Sequence, residues 1–302
     1  MRETSEPEAL GPFASVVGAL GAGVIYLLMR LFGRTLREAE VPWLVGPTGG
    51  DYIGDKPYEE VAEREGLVVQ RRAAQGGLVP DFQVLQSAAF DVAKLQPAVR
   101  DFYENTASYR MDVWSESFFP GKIGLWLLVT TLSRKVNQLN FPLSALSTAK
   151  GLDSEIVLLK DAAGAVRYAG WYRRLVSSGR VIYTGFYMTE ALPHCVGRCV
   201  KVVFPMPSGN ATVVLRPSLD PDGNLVLSSK GARLGDAGFY RVRKTGVGRL
   251  LVWRISTLHE HFRVYVENET VRCDHRVSFL GLPILHLHYR IERARAPSSS
   301  AA

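Results

Sequence analysis

The sequence predicts a mainly β protein, α+β overall: an antiparallel barrel or curved sheet of about ten strands, preceded by a helical N-terminal third. Three observations carry that expectation. Short apolar-alternating runs, rich in Val, Tyr, Phe and Thr, follow one another from Ser154 to Ile291. Turn-forming clusters such as Asp161-Ala162-Ala163-Gly164, Ser177-Ser178-Gly179 and Asp220-Pro221-Asp222-Gly223 separate them and supply the chain reversals. No long helical period interrupts them, so the crossovers that a parallel sheet needs are missing.

Residues 1–40 hold an apolar helix, a candidate membrane anchor. Ala9–Met29 carries no charge, and its length of about 21 residues matches a bilayer span. Ala14, Gly18 and Ala22 form a stripe of small residues, which lets two membrane helices approach closely. Glu3, Glu6 and Glu8 precede the stretch, and Arg30, Arg34 and Arg37 follow it. That charge order leaves the rest of the chain in the cytoplasm, at the inner face of the plasma membrane. A soluble or interfacial helix is the competing reading, because Gly11, Gly18, Gly21 and Gly23 dilute the hydrophobicity. The acidic start opposes a signal peptide.

Residues 41–150 read as a loop and helical segment packing on the sheet. Pro42, Gly46, Pro47, Gly49, Gly50 and Gly54 make Val41–Asp55 a loop, with Trp43 as its anchor. Gly46-Pro47-Thr48-Gly49-Gly50 lacks the Lys-Ser/Thr and the preceding strand of a phosphate loop, so it is not one. Pro57 starts a helix over Tyr58–Glu65, since its missing N–H costs nothing at a first helical position. Leu67–Gln70 suits a short strand. Pro97 opens a helix through Tyr103 with Val99, Phe102 and Tyr103 on one side. The aromatic-dense stretch to Phe119 then packs on the sheet or lines a ligand mouth. Tyr103, Tyr109, Arg110, Trp114 and Phe118 are the expected wall residues. Ile123–Ser133 is uncharged but too short to span a bilayer. It is expected as a buried or interfacial helix that, with Pro97–Phe119, covers the sheet.

Residues 151–293 are the β domain. Ser154–Lys160, Val166–Leu175 and Arg180–Thr189 form a meander. Lys201–Phe204, Thr212–Arg216 and Asn224–Ser228 continue it. Phe239–Arg243, Arg249–Thr257, Phe262–Glu267, Thr270–Phe279 and Ile284–Ile291 complete it. Residues 294–302 read as a disordered Pro/Ser/Ala tail.

The chain has 302 residues, and its 47% apolar content excludes wholesale disorder. The net charge of +7 is lopsided, with 21 Lys+Arg against 12 Asp+Glu in residues 151–302 and 15 against 17 before them. The β half is therefore the one that attracts anions, whether lipid headgroups or acidic small molecules. Nucleic acid is not an expected partner: Phe239–Lys244 interleaves aromatic and basic residues too thinly. The three cysteines, Cys195, Cys199 and Cys273, cannot all pair, which fits a reducing compartment.

Val99-Arg100-Asp101-Phe102-Tyr103-Glu104, Thr106, Tyr109-Arg110 and Asp112-Val113-Trp114-Ser115, with Gln138-Leu139-Asn140 and Pro142-Leu143, resemble a bacterial family of uncharacterised proteins. The similarity covers roughly residues 40–160 and extends toward the β half. The resemblance implies a bacterial domain and brings no catalytic residue with it.

His286 and His288 alternate on one strand face, as a metal-binding pair would. With Glu292 their spacing resembles the first motif of the cupins, although Gly281 lies one residue too close and no second motif follows. His259 and His261 form a second such pair that neighbouring strands could bring alongside, giving a transition-metal site. His275 shares a face with Val271, Cys273, Val277 and Phe279, and is expected as a core histidine with its hydrogen bonds satisfied. His194, Cys195 and Cys199 fall short of both a zinc site and a nucleophile pair. No hydrolase elbow, zinc-protease helix motif, dinucleotide fingerprint or kinase set is present.

The expected function is a binding module for an apolar or amphipathic anionic ligand, lipid-like, in a β cavity, associated with a membrane. No cofactor is expected. The alternatives are a metal-dependent or acid–base enzyme using strand histidines, and a membrane-tethered structural or interaction protein.

Overall fold

The computed structural model describes residues 12–50, 53–73, 75–118, 152–176 and 181–294. The segments expected at Ile123–Ser133 and Gln138–Leu143 lie outside them, as do residues 1–8 and nearly all of the 294–302 tail.

One antiparallel sheet of 14 strands dominates. Its main path begins with β2 (Val68–Arg71), β4 (Leu152–Lys160), β5 (Val166–Leu175), β6 (Val181–Ala191) and β7 (Arg198–Met206). It continues through β8 (Gly209–Leu219), β9 (Leu225–Ser228), β12 (Leu258–Glu267), β13 (Thr270–Phe279), β14 (Leu282–Arg293) and finally β3 (Tyr109–Ser117). The strand β8 pairs with β7 along one edge. On the other it hands over from β10 (Gly238–Gly246) to β9. A branch of β10, β11 (Arg249–Arg254) and β1 (Arg34–Arg37) leaves the main path there.

Of the expected barrel or curved sheet, the barrel does not close among the described residues: the sheet is open and curled. β3 comes near β4 without pairing. Among the described residues β2 pairs only with Val157–Lys160, which leaves Leu152–Ile156 as an unpaired edge. The helices expected to start at Pro57 and Pro97 are present. Only α1 (Pro12–Phe32), α2 (Pro57–Glu65) and α3 (Pro97–Glu104) are α-helices among the described residues, joined by 3-10 turns.

Among the described residues no helix is long and apolar enough to cross a membrane. Pro12–Met29, most of the stretch expected as a span, lies in α1, whose end packs on β11. Met29 is buried, Phe32 stacks on Trp253 with centroids 6.4 Å apart, and the Arg243 guanidinium lies 4.7 Å from the Tyr26 ring centroid. Val24, Leu27 and Leu31 remain exposed.

Apolar contacts fill both sides of the curl. Inside, α3 and the preceding 3-10 turns plug one end. Val99, Phe102 and Tyr103 recur at the spacing of one helix face and bury against Phe82, Leu85 and Phe90. Each such side chain removed from water contributes about 1.5–3 kcal/mol. Polar contacts fix the plug: Phe82 N–H donates to Glu104 Oε1 at 2.9 Å, and Leu78 N–H donates to Thr106 Oγ1 at 3.2 Å. Outside, Tyr58, Val61 and Ala62 of α2 pack on Val157, Phe186 and Val203. The Val41–Asp55 loop is pinned by strand side chains. Lys201 Nζ donates to the Val45 carbonyl at 2.8 Å, and Thr184 Oγ1 donates to the Gly54 carbonyl at 2.6 Å. Lys201 is almost fully buried, and that burial lowers its pKa to about 8.

Candidate functional site

The inner face of the curl encloses a cavity of about 110 Å³. Strands β5–β9, β12–β14 and β3 all contribute walls, and Leu78, Phe102 and Tyr103 close one end. Alternation decides which residues face it. On β5, Ala169, Trp171, Arg173 and Leu175 are buried, so Arg173 occupies an inward position that its neighbours fill with apolar groups. On β13, Val271, Cys273 and His275 point in, and on β14 Leu285, Leu287 and Ile291 do the same.

Against these walls stand a few polar groups. Arg173 is only 6% exposed. Its guanidinium lies 4.9 Å from the Trp171 ring centroid and 5.8 Å from that of Tyr289. Its Nε and Nη2 are buried without a hydrogen-bond partner. His275 stacks on Phe262 with centroids 3.8 Å apart and planes 14° from parallel. Its Nε2 lies 3.5 Å from Glu260 Oε2, yet neither ring nitrogen makes a hydrogen bond. The expectation of a satisfied core histidine is corrected accordingly. Tyr183 and Tyr187 share a hydrogen bond of 2.6 Å between their hydroxyls. Burial pushes the Tyr289 phenol up to about 12 and raises Tyr183 and Tyr187 as well. All three are therefore neutral near pH 7, and the other polar groups lining the cavity are Arg173, Glu260 and His275.

The wall residues expected from sequence divide. Tyr103 lines the cavity. Tyr109 is half-buried at the core's rim, where its hydroxyl donates to Asp101 Oδ2 and the Arg293 guanidinium lies 5.5 Å from its ring centroid. Arg110 and Trp114 occupy the opposite face of β3, from which Met111 and Val113 point inward. Arg110 lies 3.8 Å from Glu292, and Trp114 is 47% exposed. Phe118, past the strand end, is exposed too. These three are corrected from wall to surface, because an alternating strand offers the cavity only every second residue.

The expected histidine pairs lie on the outer face. His261, Arg276, His286 and Glu116 follow one another across β12, β13, β14 and β3. Arg276 and a whole strand thus separate His261 from His286. His259 pairs with Ser278, so the four histidines do not converge. Glu292 shares the outer face but is paired with Arg290. Instead Glu116, His286 and His288 offer ligand atoms that all lie within 4.8 Å of one another. His288 Nδ1 lies 2.8 Å from Asp274 Oδ1.

A larger, open cleft of about 620 Å³ runs beside α2, and two of its arginines are held in ion pairs. Arg71 reaches Asp55, Glu59 and Glu155, and Arg174 lies 2.6 Å from Asp153. All three cysteines are free.

Comparison with known proteins adds little chemistry. No family model matches the chain, and no solved structure does. The chain is similar to a protein of Bacillus subtilis strain 168 whose name is "Uncharacterized membrane protein YndJ", at 27% identity over 243 residues. The match covers 76% of this chain but 41% of that relative's length. A bacterial relative without an assigned activity agrees with the resemblance drawn from Val99–Ser115 and Gln138–Leu143.

Proposed function

We propose that the curled sheet is a binding module for a small amphipathic anion: an acidic head, such as a carboxylate, on a compact apolar body. Arg173 carries the reading. A buried polar group without a partner costs about 1–3 kcal/mol, and a charged one more. Such a cost is retained where a ligand supplies the missing acceptors, and a carboxylate fits a guanidinium fork in two parallel hydrogen bonds. Trp171, Phe262 and Leu287 would hold the apolar body. The cavity's volume of about 110 Å³ falls below the ~300–1,000 Å³ of pockets that take drug-sized ligands. A short acyl chain or single ring suits it, and a longer lipid tail would have to leave along the unpaired edge between β3 and β4. The exposed Val24, Leu27 and Leu31 of α1, beside Arg30 and Arg34, would suit attachment to an anionic membrane surface. The relative's name as a membrane protein is consistent with that placement.

The test uses the full chain. Native mass spectrometry after mild extraction looks for a carried acid, and calorimetry with octanoate measures uptake. The expected result is one acid per chain, held at least tenfold more weakly by Arg173→Met. A folded chain that neither carries nor takes up such an acid, or an Arg173→Met variant that binds it equally well, overturns the proposal.

A second reading is acid–base catalysis within the same cavity. It is favoured by His275 and Glu260 standing 3.5 Å apart in the cavity, the residue types that serve as general acid and base. Analysis of the acid recovered after incubation separates the two readings. Recovery unchanged supports the binder; conversion that His275→Gln abolishes supports the enzyme.

A further inference from the structure

We propose that Glu116, His286 and His288 form a binding site for a divalent transition ion, Zn²⁺ above others, on the outer face of the sheet. The site is separate from the cavity and does not depend on the reading given for it. Its geometry follows from register. β14 presents His286 and His288 two residues apart on one face, with ring centroids 3.9 Å apart. β3 pairs antiparallel with β14 so that Glu116 stands opposite His286. The three side chains thereby offer ligand atoms all within 4.8 Å of one another, close enough to share one ion after small rotamer adjustments.

Two further observations point to an ion. His288 Nδ1 lies 2.8 Å from Asp274 Oδ1. A carboxylate at one ring nitrogen fixes the tautomer and frees the other nitrogen as a ligand, the arrangement found behind metal-bound histidines. His286 Nε2 is buried and makes no hydrogen bond, with Asp274 Oδ1 no closer than 4.0 Å. An imidazole nitrogen withdrawn from water without a partner is a lone pair or a donor left idle.

The donor set selects the ion. Two imidazoles and one carboxylate match Zn²⁺ and its neighbours, whereas Ca²⁺ and Mg²⁺ prefer all-oxygen shells. Arg276, facing His286 from β13, opposes a cation. Glu116 and Asp274 outnumber it. Three protein ligands leave a fourth position to water or an outside ligand. Because two ligands come from β14 and the third from β3, a bound ion would also clip the edge strand in place.

The test titrates the metal-stripped full chain with Zn²⁺ by calorimetry and with Co²⁺ by visible absorption. One ion per chain is expected, with the strong visible bands of low-coordinate Co²⁺. His286→Ala and His288→Ala should each bind at least tenfold more weakly, and Asp274→Asn about 10–100-fold more weakly. His261→Ala, on the same face but a strand away, should bind as the parent does. Zn²⁺ should raise Tm of the parent and of His261→Ala, and leave that of His286→Ala unchanged; circular dichroism confirms that each variant folds. The proposal is overturned by a folded parent that binds no stoichiometric Zn²⁺, or by His286→Ala and His288→Ala binding as tightly as the parent. A loss in His261→Ala equal to theirs overturns it too.

Discussion

The paired strands β13 and β14 carry histidines on opposite faces, one inward on β13 and two outward on β14, and the two faces treat them differently. Inward, His275 is pressed against Phe262 among apolar walls, with neither nitrogen bonded. Outward, His288 is tied to Asp274 and shares its neighbourhood with His286 and Glu116. The two strands are hydrogen-bonded neighbours, so the difference comes from which side of the pleat a residue occupies. The inner face gathers apolar area and isolates a few charges, which makes each unpaired charge expensive. The outer face surrounds its imidazoles with carboxylates, which makes them candidate ligands.

The largest expected effect tests that division directly. Leu287 and His288 are adjacent on β14 but face opposite ways. Leu287→Ala should destabilise the chain by about 2–5 kcal/mol through lost burial and the cavity it leaves. In metal-free buffer His288→Ala should cost about 1 kcal/mol, the worth of one partly exposed hydrogen bond. Urea unfolding midpoints measure both, and equal costs would break the comparison.

A smaller effect, of opposite sign, is expected at Arg173. Replacing a buried charge that has two unbonded nitrogens, and no ion-pair partner among the described residues, by an apolar side chain of similar length removes a desolvation cost. Arg173→Met should therefore stabilise the ligand-free chain by about 1–3 kcal/mol. An unchanged or lowered Tm would mean that the guanidinium is already satisfied in the folded protein.

The smallest effects are in pH dependence, and the two faces should show them at opposite ends of the scale. The outward His261 has its pKa lowered by burial, then by the charges of Arg276 and His275. Its contribution to stability is present above the ordinary histidine value of about 6.5 and is lost as pH falls through the lowered folded value. The inward Tyr289 is raised by burial to about 12. Its contribution is present below about 10 and is lost as pH rises through about 12. His261→Asn should flatten only the acid limb of a stability–pH curve, and Tyr289→Phe only the alkaline limb. Matching changes on the same limb would count against the assignment of faces.

Much of the fold is legible in period-2 alternation and turn chemistry. The β5 strand is found at the bounds read from sequence, Val166–Leu175. The Asp220–Gly223 turn closes as its residues suggest: Asp220 Oδ1 accepts from Asp222 N–H and Asn224 N–H at 3.0 and 2.9 Å, and Gly223 takes a φ of 77°. The edge strand β3 was hidden by its aromatic density, although Arg110, Asp112, Trp114 and Glu116 do alternate with Met111 and Val113. Arg173 left a trace as well, as the one charge on the Ala169–Trp171–Leu175 face. What alternation cannot give is register between strands distant in sequence. Glu116 meets His286 only because β3 pairs with β14, and His261 misses it only because β13 intervenes. The branch at β8 and the unclosed edge are likewise decided by three-dimensional packing.

The pairing of β3 with β14 joins Tyr109 to Arg293, so β3 waits for β14 to be made. At roughly 5–20 residues per second, a ribosome takes on the order of 10–35 s to travel between them. During that interval β3 lacks its β14 partner, and its alternating apolar residues are available to chaperones or to another nascent chain. Closing so long a loop is also slow because its entropy must be lost before the contacts repay it. The synthesis of β14 therefore sets when the cavity acquires its β3 wall and when Glu116 first meets its histidines.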